Sequence, residues 1–276
     1  MPVLQQIFVY PIKSLAGFSV QNWKIGLKGL VYDRQWMLID SQHQFLSQRR
    51  LPRMALIKTR IENEELILSA PGQPDFAIPL QAEDGETVQV MIWDDHCQAK
   101  TVSEEIDQWL SQFLNTECRL VYHPEHSTRQ VDQRYAQPQD QTAFSDGFPF
   151  LIVSQGSLEA LNEAMQLEMT MNRFRPNLVI ADCAPYAEDS WRRIQIGEID
   201  FRLPKPCSRC SVPTIDPDTG LIDKEPLTTL NRLRKHDNKV YFGQNALHDN
   251  LGTLSLGDAV KILETGPIQP QLSETH

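Results

Sequence analysis

The sequence has few cysteines, fewer basic than acidic residues and no long apolar run, and each shortage excludes a class of protein. Five cysteines among 276 residues is an odd number, which makes a poor disulfide framework and is typical of a reducing cytoplasm. The formal net charge of −10 argues against nucleic-acid binding, because phosphate backbones require clustered Lys and Arg. No stretch approaches the roughly 20 apolar residues that span a bilayer, and no basic signal-peptide region is visible. We therefore expect a cytoplasmic protein that binds neither nucleic acid nor membrane.

What the sequence does contain indicates a globular, β-rich chain. Hydrophobic residues make up 41% of it, and 18 prolines and 13 glycines punctuate its length, as expected for strands joined by many turns. The first hundred residues are predicted to be mostly β, because short apolar runs alternate with Pro and Gly. The predicted strands cover residues 3–10, 35–40, 44–47, 66–68 and 88–93, with 35–40 and 44–47 paired as a hairpin.

The rest of the chain mixes helices with strands, without the regular alternation of a doubly wound sheet. Thr-Val-Ser-Glu at residues 101–104 has the capping-box pattern, and apolar residues follow at helical spacing from Ile106 to Leu114. Residues 123–141 are predicted to form an exposed connection or a domain boundary. The remaining predictions are a helix from Ser154 or Ser157, strands at 178–181, 198–203 and on both sides of a turn within 254–263, and a frayed tail at 266–276.

Cys207 and Cys210 form a Cys-x-x-Cys pair whose spacing alone allows several interpretations. A redox pair would require a helix beginning at the first cysteine, and Pro213 follows too soon for one. A structural zinc site needs four ligands, for which His123 and His126 are available. Alternatively, both are loop cysteines near the core, or one is a catalytic or metal-binding thiolate.

Cations surround the cysteine pair and recur in three other segments. Arg209 lies between the cysteines and Lys205 shortly before them, so the local field is positive and favours a thiolate. A soft thiolate in a cationic loop suits a soft, high-valent metal with an anionic partner ligand. The other segments place cations beside hydroxyls or turns, the usual groups for binding phosphate: Lys13 with Ser14, Arg34, and Arg173 with Arg175.

These segments, with several others, make the chain resemble MOSC-domain proteins that carry an N-terminal MOSC β-barrel domain. Within that family it resembles the mitochondrial amidoxime-reducing component and its bacterial relatives. The resemblance runs from residue 3 to about 263, and seven motifs in family order are highly specific. The motifs are YPIKS (residues 10–14), DRQW (33–36), a segment at 135–146 that ends in FSD, FRPN (174–177), YAEDSW (186–191), CSRC (207–210) and TIDPDTG (214–220).

The resemblance implies an α+β fold dominated by a MOSC β-barrel. An N-terminal β-rich domain (residues 1–122) would pack against the MOSC domain (123–265), with the cofactor between them. The implied cofactor is the molybdenum cofactor (Mo-molybdopterin), with Cys210 as the metal ligand and the role of Cys207 left open. The implied cofactor-binding residues are Lys13, Ser14, Arg34, Ser145, Asp146, Arg175, Ser208 and Arg209.

The implied activity is two-electron reduction of a small N-hydroxylated substrate, such as an amidoxime, a hydroxylamine or an N-hydroxylated base. Cys210 and Asp146 are the catalytic candidates, Asp146 for proton delivery unless it is only a turn residue. Many bacterial relatives carry a ferredoxin-like domain, whereas this sequence has no four cluster cysteines, so a separate flavoprotein or iron–sulfur protein would donate the electrons. Two alternatives stay open, namely a cofactor carrier or sulfur-relay (persulfide) protein and a zinc-binding module.

Overall fold

Strands dominate the structure, a computed structural model that describes residues 1–270. The strands are β1 (Val3–Val9), β2 (Phe18–Val20), β3 (Asn22–Gly26), β4 (Gly29–Leu30), β5 (Trp36–Ile39), β6 (Lys58–Glu62), β7 (Glu65–Ser69), β8 (Phe76–Pro79), β9 (Thr87–Ile92), β10 (Asp95–Thr101), β11 (Arg119–Tyr122), β12 (Phe150–Ser154), β13 (Leu178–Ala181), β14 (Trp191–Ile196), β15 (Ile199–Ser208), β16 (Lys235–His236), β17 (Lys239–His248), β18 (Gly252–Ser255) and β19 (Val260–Thr265). Three α-helices lie in the described residues: α1 (Glu104–Leu114), α2 (Gln155–Met165) and α3 (Leu227–Leu233). The predicted β-dominated α+β class is confirmed.

A nine-stranded sheet forms the larger part of the fold. Its order is β19-β14-β15-β17-β12-β13-β1-β2, with β16 paired to β17. β12 and β13 are parallel and joined through α2, and both are buried along almost their whole length, as their continuous apolar sequences predict. The backbone of Leu4 exchanges hydrogen bonds with Asp258 and Gly257 (2.9 and 2.8 Å). These bonds bring β1 next to the turn before β19, so the sheet curves back toward itself as in a barrel.

The first 30 residues pair with strands from the other end of the chain. β1 lies between β13 and β2, and β3 pairs with β18. The later strands of the N-terminal half form a four-stranded sheet (β5-β11-β10-β9) and a three-stranded sheet (β6-β7-β8), with the apolar face of α1 buried against them. The nine-stranded sheet therefore contains strands from both sides of the predicted domain boundary between residues 122 and 123. That boundary stays a prediction about the sequence.

The predicted hairpin of residues 35–40 and 44–47 forms, although its second arm is short. Residues 44–46 pair with β5 through the Ile39–Phe45 bridge. Asp40 N also donates to Gln44 O at 2.9 Å, and Leu46 N donates to Leu38 O at 2.8 Å. Gln44 also bridges to Met91 of β9, a second partner in the same sheet that the sequence did not predict. Local alternation of apolar residues does not specify which strand is the partner.

The predicted start of α1 also needs correction. Its N-cap is Ser103, whose Oγ accepts a hydrogen bond from Ile106 N at 3.4 Å. Thr101, the first residue of the capping-box pattern, is still the last residue of β10, and its Oγ1 accepts from Glu86 N at 3.0 Å. The strand pairing therefore occupies the residue that the local pattern assigns to the helix.

The prediction that residues 123–141 form an exposed connection is correct only in part. Residues 132–134 and 137–139 are exposed, whereas others in the segment are buried. His123, Arg129, Val131 and Asp140 are all at most 8% exposed, and Asp140 pairs with Arg202 of β15 at 2.8 Å.

The predicted frayed tail is wrong for residues 266–270. Gly266 N donates to Ser190 O at 2.8 Å, and Gln269 N donates to Asp189 O at 3.0 Å. Residues 271–276 lie outside the described residues. No helix in the described part of the chain is long and apolar enough to cross a membrane.

Candidate functional site

One cavity brings together all the residues that the sequence predicts for the site. They come from the segment after β1, the turn before β5, the segment before β12, the segment before β13 and the end of β15. The predicted residues on its wall are Lys13, Ser14, Arg34, Ser145, Asp146, Arg175, Ser208, Arg209 and Cys210, together with Cys207. The wall also includes Asn177, Phe148 and Asn245, which the sequence analysis did not assign to the site.

The cavity wall carries more positive than negative charge. Four cations line it, Lys13, Arg34, Arg175 and Arg209, against the single carboxylate of Asp146. Burial, reinforced by the charge of Arg34, lowers the pKa of Arg175 to about 10, so this guanidinium is still charged at neutral pH. An anionic ligand would offset both the excess charge and the cost of burying it.

A hydrogen-bond network around Tyr10 and Asn177 holds the first two arginines. Arg34 Nη1 donates to Asp33 Oδ2 at 2.6 Å and to Asn177 Oδ1 at 3.0 Å. The guanidinium carbons of Arg34 and Arg175 both lie over the Tyr10 ring, 4.4 and 4.3 Å from its centroid. Asn177 is 2% exposed and acts here as a positioning residue. Its place at the end of the FRPN motif was the available sequence signal.

Three residues of the wall have a strained backbone. The φ angles of Ser14, Arg34 and Arg175 are +66°, +48° and +54°, in the left-handed region that side chains other than glycine rarely adopt. Such conformations cost about 1–3 kcal/mol each and cluster at functional sites. Three of them, from three distant segments around one cavity, indicate that the fold holds these residues for their side chains or backbone N–H groups.

The two cysteines have different surroundings. Cys207 packs against the cluster that contains Phe174 and Phe242, and its Sγ accepts a hydrogen bond from Arg209 Nη1 at 3.2 Å. Burial raises the pKa of the Cys207 thiol, although Arg209 opposes the shift. Cys210 lies beyond the end of β15, partly exposed and on the cavity wall. The cation that the sequence placed beside the pair therefore contacts Cys207.

Arg209 has unused hydrogen-bonding capacity. Its Nη2 donates to Phe174 O at 2.7 Å, while its Nε is buried without a hydrogen-bond partner among residues 1–270. A buried guanidinium N–H without an acceptor costs free energy, and a ligand acceptor in the cavity would remove that cost.

Lys13 and Asp146 form an ion pair at the edge of the cavity. Lys13 is 5% exposed, and its Nζ donates to Phe144 O at 2.8 Å and to Asp146 Oδ1 at 2.5 Å. Desolvation would raise the pKa of Asp146, but the Lys13 ammonium outweighs it and holds this pKa well below its usual range. The Asp146 side chain, 67% exposed, is therefore an ionised acceptor at neutral pH.

The loop that carries Asp146 is supported by residues that the sequence analysis missed or read differently. The Ser145 hydroxyl donates to Phe148 O at 2.8 Å, which engages it within the loop. Arg129, 5% exposed, donates through Nη1 to Ala143 O at 2.9 Å and Ser145 O at 2.5 Å. The sequence analysis missed Arg129 because it predicted residues 123–141 to be exposed. An arginine is otherwise a good candidate for this role, since its forked donors are well suited to bind carbonyl groups.

The zinc alternative has no support in the geometry. Among residues 1–270, no three His, Cys, Asp or Glu side chains are grouped so that they could hold a metal ion. His123 instead lies 3.1 Å from Lys28 Nζ and packs edge-on against Phe144, and His126 lies 4.0 Å from Glu83.

Comparisons with known proteins define the class. The family described as "MOSC N-terminal beta barrel domain" matches residues 1–117, and the family described as "MOSC domain" matches residues 139–261. The chain therefore belongs to the MOSC-domain proteins that carry an N-terminal MOSC β-barrel domain, and the family resemblance is confirmed.

Within this class the chain is similar to two groups of relatives. It is 37% identical to mitochondrial amidoxime-reducing component 1 of Mus musculus, over 94% of this chain and 81% of the relative. The human protein of the same name is 34% identical, over 94% and 82%. The molybdenum cofactor sulfurase of Arabidopsis thaliana is 31% identical, over 87% of this chain but 32% of the relative.

Proposed function

We propose that this protein binds the molybdenum cofactor in the cavity and reduces small N-hydroxylated compounds with it. The observation that carries the proposal is a single cavity in which the partly exposed thiol of Cys210 lies among four cations. The similarity to amidoxime-reducing components over most of their length supports the same activity. When bound, the cofactor supplies two-electron redox chemistry, and the protein supplies binding, orientation and electrostatics.

The residues present fit an anionic cofactor with a soft metal. Cys210 offers a soft sulfur ligand. The excess of cations and the unpartnered Nε of Arg209 require an acceptor with negative charge. Lys13, Ser14, Arg34, Ser145, Asp146 and Arg175 would hold the phosphate and the pterin, and Ser208 and Arg209 would flank the metal ligand.

Asp146 has a role that depends on Lys13. While the two are paired, Asp146 accepts hydrogen bonds from the substrate or water but donates no proton, because Lys13 keeps its pKa low. If the cofactor phosphate takes over the ammonium of Lys13, the charge that holds the pKa down is withdrawn. Asp146 could then deliver a proton to the reduced nitrogen or the departing oxygen.

The electrons would come from a separate protein. Apart from the Cys207–Cys210 pair, the cysteines of the chain are Cys97, Cys118 and Cys183, and burial raises the pKa of each to about 11. Cys97 and Cys118 are buried and Cys183 is partly buried, and thiols with raised pKa values are poor cluster ligands. A flavoprotein or an iron–sulfur protein in the same compartment, which we expect to be the cytoplasm, is the proposed donor.

Metal analysis of cysteine variants tests the proposal. Wild-type protein from a molybdate-supplied host should contain nearly one molybdenum per chain and should reduce benzamidoxime with an artificial electron donor. Cys210→Ser should lose both the metal and the activity. Cys207→Ser is the matched control and should retain the metal, because Cys207 packs against the aromatic cluster and its Sγ already accepts from Arg209. Zinc in place of molybdenum, or molybdenum unaffected by Cys210→Ser, would refute the assignment.

The match to molybdenum cofactor sulfurases favours a second candidate, a cofactor carrier or sulfur-relay protein. In that case Cys210 would hold a persulfide, and cyanide would release sulfur from wild-type protein but not from Cys210→Ser. The protein would also bind cofactor without reducing benzamidoxime. Turnover without cyanide-labile sulfur would exclude this candidate.

A further inference from the structure

The turn between β9 and β10 places a large aromatic residue at a strained position. Ile92 and Asp95 are paired, which leaves Trp93 and Asp94 as a two-residue loop. Trp93 has a φ of +56° at the first loop position, where hairpin turns of this kind prefer glycine. Its side chain is nevertheless an indole that remains 41% exposed. Because a bulky residue costs backbone energy there, the indole must contribute something that a glycine could not.

The indole lies beside the carboxylate of the cavity. Trp93 Nε1 approaches Asp146 Oδ1 at 3.4 Å, and Lys13 donates to the same oxygen at 2.5 Å. Oδ2 of Asp146 receives no hydrogen bond from residues 1–270, and the side chain is 67% exposed. An exposed aromatic surface and a free carboxylate oxygen thus stand side by side at the edge of the cavity.

A buried arginine fixes the distance between the two groups. Arg129 donates through Nε and Nη2 to Asp95 Oδ2 at 2.9 and 2.7 Å, at the base of the Trp93 turn. Its Nη1 donates to Ser145 O at 2.5 Å, next to Asp146. Phe45 supports the indole from the side, with ring centroids 4.8 Å apart. The pair is therefore preorganised, as a recognition site requires.

The indole already stacks a group with the shape of the proposed substrate. The guanidinium carbon of Arg49 lies 4.2 Å from the centre of the Trp93 ring, and Arg49 has no salt bridge within residues 1–270. A guanidinium is a planar, delocalised N–C–N group, and so is the core of an amidoxime or an N-hydroxyguanidine. The ring face is thus suited to planar nitrogen-rich groups.

We infer that Trp93 and Asp146 form the substrate-recognition site, an inference that rests on the proposed reductase function. The planar N–C–N group or its aryl substituent stacks on the Trp93 indole and donates N–H to Asp146 Oδ2. Arg49 occupies the same ring face in the absence of substrate and is displaced by it. The protein should therefore prefer planar aromatic amidoximes to hydroxylamine, which has no planar group to stack.

The test compares two substrates and two substitutions at one position. Benzamidoxime binding is measured by calorimetry on cofactor-loaded wild type, Trp93→Leu and Trp93→Phe, and KM and kcat are measured for benzamidoxime and hydroxylamine. We expect Trp93→Leu to weaken benzamidoxime binding and raise its KM about tenfold, with a smaller change in kcat. Trp93→Phe should stay within about threefold of wild type, because it keeps a stacking ring. The KM for hydroxylamine should not change.

Controls separate recognition from folding. Leu251→Ala, which shortens another exposed apolar side chain (54% exposed), should leave all constants unchanged, and all variants should keep the molybdenum content and unfolding temperature of the wild type. Unchanged benzamidoxime binding in Trp93→Leu, or equal losses for both substrates, would overturn the inference. If the wild type reduces neither substrate, the proposed function fails. Calorimetry then still decides this inference, because Trp93-dependent binding upholds it and absent binding refutes it.

Discussion

At the scale of single residues, buried and strained positions cluster around the cavity. Arg175 combines a φ of +54°, a pKa lowered to about 10 by burial and a hydrogen bond from its Nη1 to Leu15 O at 2.6 Å. The strained backbone and the desolvated charge each cost free energy, and the hydrogen bond fixes the side chain in this position. Their coincidence in one residue is expected where a charge is held ready for a ligand rather than for the stability of the chain.

His123 gives the folded chain a predictable sensitivity to acid. It is fully buried, and its pKa is lowered to about 3, first by burial and then by the charge of Lys28. Because the folded pKa lies below the ordinary value of about 6.5, protonation favours the unfolded chain. Its contribution to stability is complete above pH 6.5 and is lost as the pH falls from 6.5 toward 3.

Between pH 7 and pH 5, His123 should lower the free energy of unfolding by about 2 kcal/mol. Urea unfolding at both pH values should show a loss smaller by about this amount in His123→Gln, which keeps an acceptor for Lys28. The exposed His126 provides the control, and His126→Gln should lose as much as the wild type. Identical pH dependence in His123→Gln and wild type would contradict the prediction.

At the scale of elements, β15 connects the fold to the site. It runs from Ile199 through Ser208, which is five residues past the end of the predicted strand 198–203. Its register shifts on both sides of Lys205 and Pro206. Irregular pairing of this kind is common where a strand carries functional residues. The strand thereby places Cys207 against the aromatic cluster at the cavity wall and leaves Cys210 in the segment beyond it.

The N-cap of α1 can be tested directly. Ser103→Ala removes the acceptor of Ile106 N and should lower the free energy of unfolding by about 1 kcal/mol. Ser103→Asp should restore most of it, because aspartate is an equally good cap and suits the helix dipole. Chemical unfolding of the three proteins measures the difference. A loss in Ser103→Asp as large as that in Ser103→Ala would show that another contact of Ser103 is responsible.

At the scale of the whole molecule, the two sequence segments share one large sheet. β1 lies between β13 and β2, with Leu4, Ile7 and Val9 buried in the core of the nine-stranded sheet. The N-terminal residues therefore complete the C-terminal half, and the same chain then continues directly to Lys13 and Ser14 in the cavity.

This shared sheet predicts that the C-terminal half is not stable alone. A fragment of residues 123–276 lacks β1 and β3, exposes one edge of β13 and uncovers apolar residues such as Leu178 and Ile180. It should unfold without cooperativity and lack a near-ultraviolet circular dichroism signal. A fragment of residues 1–31 added in trans, or fused to it, should restore part of that signal. A cooperative transition in the fragment alone would refute the prediction.

Much of the local structure could be predicted from the sequence. The strands at 3–10, 66–68, 88–93 and 178–181 and the helices near 104 and 155 all form, with shifts of a few residues at most. These elements are specified by short-range patterns of apolar residues and by turn and cap residues, which act over a few positions. The family could also be recognised from the sequence, because seven short motifs in the order of the family rarely occur together by chance.

Only the tertiary structure decided what depends on residues far apart in the chain. The burial of His123 and Arg129, the edge on which β1 pairs and the choice of Cys207 as the partner of Arg209 follow from packing, which local patterns do not encode. The same is true of Trp93, which looks like an ordinary strand residue until its turn is placed against Asp146. The sequence by itself determined which chemical groups are available, whereas the fold determined which of them meet, because contacts between distant segments depend on how the sheets close.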